Sequence, residues 1–115
     1  MFKTFATAAL AVSITSAAMA EDAYDSSKFL QQPPENQQGY ISVSAMAFGL
    51  VATRNRPAQA KCIDDWVSTN KPTGYKATID TMKQHPKYHP LAVVSAVIEK
   101  ACGNFEYSST ASVVR

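Results

Sequence analysis

The sequence predicts an all-α protein, a small four-helix bundle stapled by one disulfide, with flexible N- and C-terminal arms. Three observations lead there. Apolar residues recur at helical rather than alternating spacing in four separate segments. Pro57 and Pro90 stand where helices would begin, a position at which a missing backbone N–H costs nothing. The chain also carries two cysteines, Cys62 and Cys102, about 40 residues apart.

Residues 1–20 read as a secretory signal peptide rather than as part of the fold. A short start with Lys3 precedes an apolar stretch too brief to span a bilayer, and Ala18-Met19-Ala20 forms a small-x-small cleavage site before Glu21. Cleavage after Ala20 leaves 95 of the 115 residues, and the formal charge falls from +2 to +1 with the loss of Lys3. A chain of that size makes one domain and buries only about two thirds of its unfolded surface, so a covalent staple matters. In an exported protein two cysteines are expected to pair. Closing a loop of about 40 residues is worth about 4 kcal/mol in the chain-entropy model.

Residues 21–38, with Pro33-Pro34 and four glutamines, read as a flexible N-terminal arm anchored only by Phe29 and Leu30. The helical domain is expected over residues 39–103. Its first helix covers residues 40–53, where Ile41, Ala45, Phe48 and Ala52 share one side, Val43 and Leu50 lie opposite, and Ser42, Gly49 and Thr53 form a narrow strip of small residues. A helix apolar nearly all round belongs inside a bundle or at a subunit contact. A second helix follows Pro57, with Cys62 and Trp66 four apart and Ile63 beside them. Residues 70–74 form a loop, after which Tyr75, Ile79 and Met82 at i, i+4 and i+7 mark a third helix ending near His85, because Pro86 disfavours helical geometry before it. In the last helix, starting at Pro90, Leu91, Val94, Val97, Ile98, Ala101 and Cys102 make the apolar face and Gly103 is the stop. Residues 104–115 read as a C-terminal tail.

Several function classes find no support. A charge near zero without runs of one sign argues against nucleic acid as a partner. No second apolar run reaches the length of a spanning helix, so membrane insertion is not expected. His85 and His89 are four apart, but the prolines at 86 and 90 interrupt any shared helix, so they are expected to cap helix ends or face water rather than hold a metal. Asp64 and Asp65 are adjacent, point about 100° apart on a helix and are expected to be solvated. Trp66 and Tyr75 sit on apolar stripes and are expected in the core. No catalytic residue, metal or cofactor is assigned, and the protein is expected not to be an enzyme. The residues best placed to meet a partner are Arg54 and Arg56 in the turn before Pro57, and Thr69, Asn70, Lys71 and Thr73 in the next turn.

Gly39-Tyr40-Ile41, the small-residue helix, Lys61-Cys62, a helix ending in His85-Pro86 and an apolar helix closing on Cys102 resemble the Rap/Tai family of periplasmic immunity proteins. The resemblance spans residues 28–102, with Phe29-Leu30 in the place of a Leu-Leu pair. It implies a helical protein, often a homodimer, that binds a cognate effector delivered by type VI secretion, such as a peptidoglycan amidase, and blocks it sterically. The alternative is a periplasmic acid-stress chaperone similar to the HdeA family, also small, exported, helical and held by one disulfide. That role needs carboxylates or histidines at contacts which protonation breaks.

Overall fold

The computed structural model describes residues 23–105, which form five α-helices and one 3₁₀ turn and contain no strand. The helices are α1 (Ser26–Phe29), α2 (Pro34–Asn55), α3 (Pro57–Asn70), α4 (Lys76–Gln84) and α5 (Pro90–Cys102), with the 3₁₀ turn (Lys71–Thr73) between α3 and α4. The expected signal peptide, residues 1–20, and the tail beyond Phe105 lie outside the described residues.

Prolines open three of the four long helices, each in the first turn. Arg56, just before Pro57, is extended (φ −148°, ψ 90°), which breaks α2 from α3. His85 leaves helical geometry before Pro86 for the same reason. The Nδ1 of His89 accepts the backbone N–H of Leu91 at 3.0 Å and caps α5.

α2 lies along α3 and α5, while α5 also meets α3 and α4, so α5 is the central element. The core consists of Phe29, Ile41, Ala45, Ala52, Ile63, Tyr75, Met82, Val93, Val94 and Ile98. Gly49 is the point of close approach between α2 and α3, because the side chain of Ile63 would sit 3.5 Å from any Cβ added there. Cys62 of α3 and Cys102 of α5 are joined by a disulfide, their Cα atoms 5.7 Å apart.

Three expectations need correction. First, residues 25–38 are not an extended arm. α2 begins at Pro34 instead of at residue 40, and the chain before it docks through α1. Asp25 caps α1, the backbone and hydroxyl of Ser26 both donate to Tyr88 O at 2.8 Å, and Ser27 N–H donates to Pro86 O. Phe29 is buried beside Tyr40, with ring centroids 5.0 Å apart. Pro33-Pro34 therefore opens a helix, and the amide of Gln37 donates to Leu30 O and Gln32 O and closes the corner. Second, the buried face of α5 is rotated: Val93 is in the core, whereas Leu91 and Ala101 are exposed. The face that α5 turns to α2, α3 and α4 is a single stripe, Pro90, Val93, Val94, Val97, Ile98 and Cys102, and Leu91 and Ala101 lie beyond its edges. Third, the tail begins one contact later than expected. Phe105 stacks on Phe48 (5.0 Å), and its N–H donates to Glu99 Oε2 at 2.9 Å.

Candidate interaction surface

The six residues singled out as partner-facing separate into distinct settings. Arg54 is exposed at the end of α2. Arg56, two residues on, is engaged within the fold: its Nη1 donates to Asn104 O at 3.1 Å, and beside it Gln59 Nε2 donates to Gly103 O at 2.7 Å. These two side chains satisfy carbonyls beyond the end of α5. Arg56 is exposed but braced, whereas Arg54 is exposed at the helix end.

Thr69, Asn70, Lys71 and Thr73 do come together, Thr69 and Asn70 as the last residues of α3 and Lys71 and Thr73 in the 3₁₀ turn that follows, so α3 runs further than expected. Asn70 and Thr73 shape the turn from within. The Asn70 amide donates to Trp66 O (2.8 Å), and its carbonyl accepts both Thr73 Oγ1–H and Tyr75 N–H at 3.0 Å. Thr69, Lys71, Pro72 and the outer side of Thr73 are exposed. The turn closes through two consecutive left-handed residues, Gly74 (φ 67°) and Tyr75 (φ 60°). A Cβ at Gly74 would lie 2.9 Å from Gln38 Nε2, so α2 supports the turn from one side. Tyr75 anchors it on the other, buried and 5.7 Å from the Trp66 ring.

The other chemistry-bearing residues have structural or solvated settings. His85 lies against Tyr88, and His89 caps α5 with Tyr24 at its edge. Asp65 pairs with Lys61 on the exposed face of α3, and Asp64 is exposed. Tyr75 lies in the core and Trp66 is half-buried against it. Among the described residues no three His, Cys, Asp or Glu side chains group as metal ligands. The Asp25 carboxylate is held below its ordinary range by the Ser27 hydroxyl and the Lys28 N–H. Asp80 is lowered by its bond to Lys76, 2.8 Å away in the same helix.

One surface was visible in the sequence only as a question. The outward face of α2 carries Val43, Met46, Leu50 and Val51, each more than half exposed, with Ala47 among them and Gly39 one turn before Val43. Contiguous exposed apolar residues on a small domain mark an interaction surface more often than single ones do. No helix among the described residues is long and apolar enough to cross a membrane. No family model, curated protein or solved structure matches this chain.

Proposed function

We propose that the protein is an exported, periplasmic immunity-type binder that occupies and sterically blocks a secreted toxin, with a cell-wall amidase delivered by type VI secretion as the implied class of target. The observation that carries the reading is the turn between α3 and α4. Lys71, Pro72 and Thr73 project from a backbone fixed by Asn70 inside, Gln38 beside it and Tyr75 beneath it. A pre-ordered protrusion loses little entropy on entering a groove, which is what a steric blocker requires. The disulfide ties α3, which leads into that turn, to the central helix α5. The Gly39-Tyr40-Ile41 to Cys102 pattern supports the same class.

The chaperone alternative needs acid-labile contacts between helices. Asp80 and Asp65 pair with lysines of their own helices, and Asp25 caps its own, so protonating them releases little that joins one element to another. That weighs toward the dedicated binder.

Capture with the disulfide-bonded protein as bait, coupled to protection of cells from a periplasmic toxin encoded beside it, tests the proposal. The expected result is a single captured effector and protection that is lost on replacing the exposed Thr69 and Lys71 by Glu without change in folding. Suppression of client aggregation at acid pH alone, with no captured effector, would support the chaperone instead.

A further inference from the structure

We infer that the turn joining α4 to α5, with the start of α1 beside it, is a second binding surface, one that takes a carboxylate-bearing sugar polymer. It is independent of what the protein blocks, because this turn lies at the far end of α4 from the 3₁₀ turn, about 12 Å away along that helix. Residues 83–89, Lys-Gln-His-Pro-Lys-Tyr-His, are exposed without a break, the longest such run among the described residues. They hold two lysines and both histidines of the chain, and no acidic residue occurs between Asp80 and Glu99.

The turn buries none of these side chains, yet its backbone is fixed. Tyr88 N–H donates to His85 O at 3.1 Å, Ser27 N–H donates to Pro86 O at 3.0 Å, and the backbone and hydroxyl of Ser26 both donate to Tyr88 O. The anchor therefore lies underneath, in the buried Ser26 and Phe29 of α1, and the side chains of the turn are left outward. Their rings stand in two pairs, His85 with Tyr88 at 5.2 Å and His89 with Tyr24 at 5.9 Å. Tyr88 is 59% exposed and Tyr24 39%. A surface already ordered loses little freedom when a ligand settles on it.

Charge and shape together select the ligand. Two carboxylates act on these lysines, Asp25 near Lys87 and Asp80 near Lys83, and both are engaged elsewhere. Asp25 accepts from the Ser27 hydroxyl and the Lys28 N–H, and Asp80 accepts from Lys76. Neither Lys83 nor Lys87 forms a salt bridge among the described residues, so their charge faces solvent and attracts an anion. An exposed tyrosine offers an apolar face and a polar edge. A sugar ring has the same division, with C–H groups on its faces and hydroxyls at its rim. The exposed Gln84, and Gln32, whose amide donates to the Tyr24 hydroxyl at 2.7 Å, add groups that both donate and accept. A uronic-acid polymer repeats face, hydroxyls and carboxylate in every unit. An acidic peptide would leave the rings unused, and a nucleic acid calls for more positive charge than a chain of net +2 supplies.

Titration of the isotope-labelled, disulfide-bonded protein with a galacturonate oligomer, followed by amide resonances, should move signals at residues 83–89 and around Tyr24 and Lys28. The affinity should fall about tenfold between about 0.02 and 0.3 M salt. Tyr88→Ala, whose carbonyl still holds Ser26, should weaken binding about fivefold. Replacing Lys83 and Lys87 together by Gln should weaken it about tenfold, with circular dichroism unchanged in every variant. Neutral dextran should not bind. No binding of the galacturonate oligomer overturns the inference, as do shifts that fall on the 3₁₀ turn instead, or a Tyr88→Ala variant that binds like the parent. Polyglutamate or a single-stranded oligonucleotide bound as tightly as the sugar would also overturn it, since charge alone or stacked bases would then account for the surface.

Discussion

Tyr75 is the sole non-glycine residue with positive φ among those described. A left-handed conformation costs a side-chain-bearing residue about 1–2 kcal/mol, and burial of its ring against Trp66 offsets that cost. Its hydroxyl, however, and that of Thr78 three residues on, are buried without a hydrogen-bond partner. An unsatisfied buried polar group is destabilising, and removing it relieves the penalty. Thr78→Val and Tyr75→Phe should therefore each leave stability unchanged or raise it by up to about 1 kcal/mol in urea unfolding; a loss larger than that would show that these hydroxyls are satisfied. Gly74→Ala should act oppositely, lowering stability by about 1 kcal/mol or more, because it puts a Cβ into left-handed geometry and against Gln38. The burial of Tyr75 was legible from its i, i+4, i+7 relation to Ile79 and Met82. Its backbone conformation was not, since it follows from where α3 must stop for α4 to reach α5.

At the level of elements, two attachments decide how the helices are held. The Cys62–Cys102 bond joins α3, which leads into the 3₁₀ turn, to α5, the central helix. Replacing both cysteines by serine should lower Tm by more than about 10 °C, since about 4 kcal/mol is lost and each kcal/mol shifts a domain of this size by about 4–8 °C. The other attachment is α1. Because Asp25 has its folded pKa lowered by the bonds from Ser27 and Lys28, the cap is in force above the ordinary carboxylate range and is lost as pH falls through the lowered value. The Lys28 amide resonance should therefore shift with a midpoint below about 3.9, the unperturbed Asp value, and Asp25→Ala should abolish that titration while the bonds of Ser26 and Ser27 to Tyr88 O and Pro86 O keep Phe29 buried. The helix starts at Pro57 and Pro90 were readable because local sterics decide them. The start at Pro34 was misread because the same Pro-Pro pair can extend a chain or open a helix, and only the docking of Phe29 beside Tyr40 selects between them.

The whole molecule relies little on charge. Its two salt bridges among the described residues are both exposed and both lie within single helices, and such pairs contribute only a few tenths of a kcal/mol each. Raising the salt from about 0.05 to 1 M should accordingly move Tm by no more than about 3 °C, measured by calorimetry, whereas a stability built on ion pairs between helices would fall steeply. Of the candidate surface, the turn at residues 69–73 was legible because Asn, Lys, Pro, Thr and Gly between two apolar periods admit little else. The role of Arg56 was not, because its partner, Asn104, is 48 residues away.

Sequence alone was enough to establish the helical class, the four long helices, the loops between them and the pairing of the two cysteines. Each depends on interactions within a few turns of chain, or on there being just two thiols to pair. Which side of α2 faces inward, the rotation of the buried face of α5, the docking of α1, and the exposure of Val43, Met46, Leu50 and Val51 were decided by the tertiary structure. α2 is apolar on both sides, so periodicity offers two equivalent ways to bury it, and only the fit of Gly49 against Ile63 and of Ile41, Ala45 and Ala52 into the shared core leaves the other side open to solvent.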